Sequence, residues 1–206
     1  MQMKHAEEVV VEMSLPAQAG RPRDEALTER VLSEVATHIL SDGLPALRIE
    51  AIAQRAKTTK PAIYRRWPKR ADLILDAIER IYAVGELPDT GDLHGDLAAY
   101  VNYQPVVGGA DGATLQNFAY TVLSPEVLPG FIARFGKARR ELGAEILTHW
   151  VERGALPRNL DVDLVLDSVL GVLVFRNLLL GKPVSPAEYD QLLGSLILNP
   201  PVTTRA

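Results

Sequence analysis

Cysteine is absent from this chain of 206 residues, which excludes disulfides, thiolate metal ligands and thiol chemistry and fits a reducing compartment. Histidine is scarce: His5, His38, His94 and His149 are all there are, and no two stand at metal-ligand spacing. Long hydrophobic runs are missing too. The longest apolar stretch, Val169–Leu180, is cut by Gly171, Arg176 and Asn177, whereas a membrane span needs about 20 apolar residues. The first twenty residues carry Glu7, Glu8 and Glu12 instead of the apolar core of a secretion signal. No serine, histidine and acid arrangement offers a nucleophile. The glycines from Gly108 to Gly112 have neither the preceding strand nor the Lys-Ser/Thr pair of a phosphate loop. Strand-like alternation and internal repeats are also lacking. These absences predict a soluble, cytoplasmic, non-enzymatic protein, without metal, cofactor or membrane partner.

What is present is helical period. Leu27, Val31, Val35 and Ile39 recur every four residues, opened by Asp24 and Glu25 and closed by Gly43. Ile49, Ile52, Ala53 and Ala56 form a second, shorter stripe, and Lys57-Thr58-Thr59 interrupts it. Ile63 and Trp67 lie one turn apart in a third segment, and a fourth helix is predicted from Lys69 to Val84. Beyond the acidic, turn-rich stretch Glu86–Asp92, helices are predicted near 92–104, 112–123, 125–153, 161–180 and 186–198. The fold expected is all-α. It is divided into a flexible extension over 1–23, a helical unit over 24–84 and a helical unit over 85–206.

The formal net charge is −4, yet between Arg48 and Arg70 eight cations face the single anion Glu50. That island of +7 in an otherwise acidic chain is a footprint for a polyanion. It coincides with two short helices joined by a three-residue turn, the helix-turn-helix arrangement. Ile63 and Trp67 would pack down, while Pro61, Tyr64 and Arg65 would project from the other side. Either Thr59 or Lys60 caps the third segment, with Pro61 in its first turn. The stretch Gly20-Arg21-Pro22-Arg23 reads either as a minor-groove arm or as a polar linker.

Ile49-Glu-Ala-Ile-Ala-Gln-Arg-Ala56, the turn, and Lys60-Pro-Ala-Ile-Tyr-Arg-Arg-Trp-Pro-Lys-Arg-Ala-Asp-Leu73 together resemble the DNA-binding domain of the tetracycline-repressor (TetR) family over about residues 24–84. The resemblance implies a homodimeric transcriptional regulator, more often a repressor, bound to a palindromic double-stranded DNA operator. Its C-terminal part would hold a small effector and the partner subunit. By position, Lys60, Pro61 and Ala62 would read base edges, and Tyr64, Lys69 and Arg48 would grip phosphates. Arg65 would serve either purpose, and Thr58 and Thr59 lie in the contacting turn. Lys57 stands where the family commonly has glycine, so the turn is expected to differ slightly. The alternative is a small-molecule-binding or scaffold helical protein that does not bind an operator.

The C-terminal aromatics read either as core or as the lining of an apolar effector pocket. Tyr100, Tyr103, Phe118, Phe131, Phe135 and Trp150 are the candidates, with Gln116, Asn117 and His149 among them. The effector implied is small and apolar or aromatic. Residues 161–180 are apolar nearly all round, which demands burial on more than one side. Leu166, Val169 and Leu173, with Leu192, Leu193 and Leu196, are therefore expected at a subunit interface. Asp161, Asp163 and Asp167 suit a helix start better than a cation site.

Overall fold

The computed structural model describes residues 25–82, 84–102, 111–176, 180–182 and 184–203. The extension expected over 1–23, with Arg21 and Arg23, lies outside them, and so does Tyr103. Among the described residues there is no strand, only an isolated bridge between Leu160 and Val202. The chain is all-α.

Helix α1, Glu25–Ser41, buries Val31, Leu32, Val35, Ala36 and Ile39 along one stripe. It stops where Gly43 turns to φ +75° and its amide donates to the His38 carbonyl at 3.1 Å. A Cβ on Gly43 would also lie 3.0 Å from Asn117 Oδ1, so backbone angle and space both favour glycine. A single 3-10 turn, Leu44–Ala46, leads into α2 (Ile49–Arg55), α3 (Lys60–Arg66) and α4 (Arg70–Glu79). The fourth helix does not run on to Val84 as its stripe predicts. The amides of Arg80 and Ile81 bond three residues back, to Ala77 and Ile78, and tighten the helix to a stop. That lets Tyr82 fold back into the core.

The remaining elements are α5 (Leu93–Asn102), α6 (Gly112–Val122), α7 (Leu128–Phe131), α8 (Lys137–Glu152), α9 (Val162–Val174) and α10 (Pro186–Leu198). The single helix expected over 125–153 is in fact α7, a widened π turn over Ile132–Gly136, and α8. Residues 124–127 form a turn instead, because Pro129 belongs to the first turn of α7, where its missing N–H leaves no bond unmade. Asp111 caps α6 by accepting from Thr114 N at 2.7 Å, and Asp161 caps α9 by accepting from Leu164 N at 3.0 Å. Asp163 and Asp167 pair with Arg140 at 2.6 and 2.8 Å, so the three aspartates serve the helix and its neighbour. Ser185 and Glu188 form a reciprocal capping box at the start of α10.

Two hydrophobic clusters result. The first joins α1–α4 to Phe118 and Val122 of α6, to Val127, and to Phe135 of the π turn. The second is built by α5, α8, α9 and α10 around Tyr100, Ile146, Leu147, Leu166 and Leu193. Gly143 permits this packing: a Cβ there would fall 2.6 Å from Leu166 Cδ2 and 2.9 Å from the Tyr100 hydroxyl. No helix among the described residues is long and apolar enough to cross a membrane.

Candidate nucleic-acid interface and effector cavity

The α2–α3 turn is built on one unusual backbone angle. Lys57 sits at φ +53°, a left-handed conformation that costs a non-glycine residue about 1–2 kcal/mol. The Thr58 amide reaches back to Ala53 O at 2.8 Å and closes the turn. The cap is Thr59 and not Lys60: Thr59 is extended, and its hydroxyl accepts from Ala62 N at 3.3 Å. Pro61 falls within the first turn of α3. Ile63 and Trp67 are buried against the helices beneath, and Trp67 Nε1 donates to Asp76 Oδ2 at 2.7 Å. The opposite side presents Pro61, Tyr64 and Arg65 to solvent, with Ala62 half-buried between them.

The island's cations divide into engaged and free. Lys60 pairs with Glu50 across the turn and lies 5.8 Å from the Tyr64 ring centroid. The bond between them pulls the Glu50 carboxyl below its ordinary range and pushes the Lys60 amine up. Arg48 is exposed, but its Nη1 donates to Pro45 O at 2.7 Å. Arg70 is part of the scaffold, bonding Glu126 at 2.9 Å and Leu44 O at 3.2 Å. Lys57, Arg65 and Lys69, all exposed, have no ion pair or side-chain hydrogen bond with a described residue. Arg55 on α2 is exposed and free in the same sense, so four of the eight cations have no partner among the described residues.

Behind this unit lies a cavity of about 250 Å³. Helix α6 supplies Leu115, Phe118, Ala119 and Val122, and α9 supplies Leu170, Leu173 and Val174. Tyr82, Phe131, Gly136 and Arg139 complete the wall. Its lining is almost wholly apolar; Tyr82 and Arg139 are the lining residues that carry polar side-chain atoms.

A family profile described as bacterial regulatory proteins, tetR family, matches residues 34–77. A second, the tetracyclin repressor-like C-terminal domain, matches residues 87–196. The chain belongs to the TetR family. HTH-type transcriptional regulators resemble it along nearly their whole length. YdeS of Bacillus subtilis is 27% identical over 90% of this chain and 93% of its own. Rv1556 of Mycobacterium tuberculosis is 30% identical over 91% and 95%. The crystal structure of the TetR family transcription regulator SCO0332 superposes with a TM-score of 0.57 at 26% identity, over 83% of this chain and 96% of that one. This TetR-family chain is a helix-turn-helix transcriptional regulator.

Of the aromatics expected to line a pocket in this TetR-family chain, Phe118 and Phe131 do so. Phe135 is instead buried in the first core, with its ring 5.4 Å from those of Tyr82 and Phe131. Tyr100 belongs to the second core and donates its hydroxyl to Arg139 O at 3.2 Å. Trp150 lies in that core as well and donates to the buried Asp96 at 2.8 Å. Gln116 and Asn117, both half-buried on α6, are absent from the wall. Gln116 approaches the Tyr120 hydroxyl at 3.5 Å, and Asn117 donates to Leu40 O and Ser41 O at 3.1 and 2.9 Å. Asn117 is thus a tether between α6 and the end of α1.

The expected subunit residues also need correction. Leu166, Val169 and Leu193 are each 1% exposed and fill the chain's own core, so they have no surface to offer a partner. Leu173 lines the cavity. Leu196 packs against the second core, and Leu192 is half-buried. On α9, at its end and on α10, the exposed large apolar positions are Leu164, Val174, Phe175 and Leu198. Tyr82 and Arg139 went unmarked in the sequence. Arg139 had a readable signal: it is a cation four residues from both Phe135 and Gly143, on the buried stripe of α8.

Proposed function

We propose that this regulator is a ligand-controlled repressor that grips a palindromic operator as a homodimer. The observation carrying the reading is the exposed face of α3, where Pro61, Tyr64 and Arg65 stand beside the unpaired cations Lys57 and Lys69. Such a face suits the major groove, with Lys60, Pro61 and Ala62 toward base edges and Tyr64 and Lys69 toward phosphates. Lys60 must exchange Glu50 for DNA to take that role. Arg48 must likewise leave Pro45 O to reach a phosphate.

A palindrome calls for two-fold symmetry, with recognition helices roughly 34–36 Å apart. Leu164, Ser168, Gly171 and Phe175 follow the i, i+4, i+7, i+11 spacing of one helix face. With the exposed Leu198, they supply an apolar surface for a second copy. A small apolar effector would occupy the cavity. Because Phe118 lines it while the adjacent Asn117 holds the end of α1, a shift of α6 on binding would be passed to the DNA-reading helices. The ligand acts only if it binds the two arrangements unequally.

The test is a gel-shift titration with the DNA upstream of the protein's own gene, alongside sedimentation of the wild type and Phe175→Glu. Retarded complexes from a dimeric wild type, and none from a monomeric Phe175→Glu, are expected. A wild type that shifts no fragment at micromolar concentration would overturn the repressor reading and leave a helical binding protein without an operator.

A further inference from the structure

We propose that the effector is a small organic acid whose carboxylate pairs with Arg139. The inference rests on reading the cavity as the effector site and adds the ligand's chemical class. Arg139 is 4% exposed and lines an otherwise apolar cavity. A buried guanidinium needs both its donors and its charge satisfied. The donors are partly met: Nη1 bonds Val84 O at 3.2 Å, and Nη2 bonds Tyr100 O. The group also lies 4.3 Å from the Tyr100 ring centroid.

Carbonyls and a ring carry no net charge, and no carboxylate among the described residues pairs with this arginine. Its neighbour makes the contrast. Arg140 is more exposed yet is neutralised by both Asp163 and Asp167. The one buried arginine on α8 therefore has no counter-ion, and it adjoins the one apolar cavity described above. Two of its five N–H groups are committed to carbonyls, leaving donors for an incoming anion. A planar guanidinium matches a carboxylate oxygen pair better than it matches any neutral group. Tyr82 lines the same cavity, and its hydroxyl makes no hydrogen bond with a described residue. It can supply a second donor.

The volume, about 250 Å³, equals that of roughly eight liquid waters at about 30 Å³ each. It suits a medium-chain alkanoate or an arylalkanoate, its tail against Phe118, Leu170 and Leu173.

The test is isothermal titration of the full chain at pH 7.5 with hexanoate, octanoate, decanoate and 4-phenylbutyrate, each beside its primary amide. The best acid should bind at least about tenfold more tightly than its amide, the margin expected of a charge-assisted bidentate pair. Arg139→Gln should remove that margin, so that acid and amide bind with the same affinity. Because this change also frees Val84 O and Tyr100 O, Ala119→Phe provides an independent check: it fills the cavity, keeps Arg139 and should abolish binding of acid and amide alike. Should Arg139→Gln fail to fold, the wild-type acid-to-amide ratio and Ala119→Phe decide the question. Amides that bind as tightly as acids and are lost in Ala119→Phe would overturn the acid inference but leave the cavity as the effector site. No binding by any compound at millimolar concentration, or binding indifferent to Ala119→Phe, would overturn the cavity reading as well.

Discussion

Trp67 at the end of α3 and Arg134 in the π turn bind opposite oxygens of one carboxylate, that of Asp76, at 2.7 and 2.5 Å. The recognition helix and the turn carrying Phe135 are thus fastened to the same point on α4. Removing the acid orphans a part-buried indole donor, which costs about 1–3 kcal/mol. The ion pair with Arg134 is 41% exposed on its arginine side and contributes less, about 0–1 kcal/mol. Asp76→Ala should therefore lower stability in urea by about 1–3 kcal/mol and change Trp67 emission. Asp76→Asn, whose amide oxygen still accepts from the indole, should lose less. Equal losses would mean that the ion pair dominates.

Under the proposed binding mode Glu50 would compete with DNA for Lys60, since the two are paired in the free protein. Glu50→Gln removes that competitor and one negative charge from the operator side. Affinity for specific and random DNA should rise, measured by fluorescence anisotropy at several salt concentrations. Lys69→Ala should do the reverse and make the salt dependence shallower by about one phosphate's worth. An unchanged or lower affinity in Glu50→Gln would refute the competition.

Lys57 holds φ +53° in a turn where glycine would be unstrained. Relief of about 1–2 kcal/mol outweighs the entropy a glycine loses on folding, about 0.5–1 kcal/mol. Lys57→Gly should raise the melting temperature modestly while weakening DNA binding, because an unpaired cation is lost. Thermal denaturation and the same anisotropy titration read the two effects separately.

Glu188 lies well below its ordinary value of 4.5, at about 2, held by the Ser185 backbone N–H and hydroxyl and then by Arg176. A carboxyl depressed on folding lends stability that is full above its unfolded value and disappears as pH falls through the folded one. The wild type should lose stability between about pH 4.5 and pH 2 through this group. Glu188→Gln should be less stable at pH 7 and show a flatter decline over that window in pH-dependent melting.

The helix-turn-helix was legible because its determinants are local. Ile49, Ile52 and Ala53 mark a buried stripe by spacing alone, and Pro61 after Thr59 marks a helix start. The end of α4 was less legible, since Ile78 and Ile81 continue the stripe while Tyr82 turns back against Phe118 and Phe135 in the first core. The cavity was read only in part for the same reason. Phe118 and Phe135 look equivalent as apolar residues of predicted helices; both are buried in the first core, and only Phe118 also lines the cavity. Likewise, a helix that is apolar all round must be covered on several sides. Nothing in its sequence says that Leu166 and Val169 face the chain's own core while Leu164 and Phe175 face out.

The first core draws Phe118, Val122, Val127 and Phe135 into the same packing as α1–α4, and this limits how such a protein can be recombined. Cutting the chain in the acidic stretch after Tyr82 would leave the reading head with an unfilled seat where those four side chains belong. A hybrid that couples this head to a foreign sensor would need to inherit α6 and the Val127–Phe135 segment with it. The unit that can be exchanged between regulators is therefore discontinuous in sequence, and breeding new specificities here means transplanting two separate stretches together.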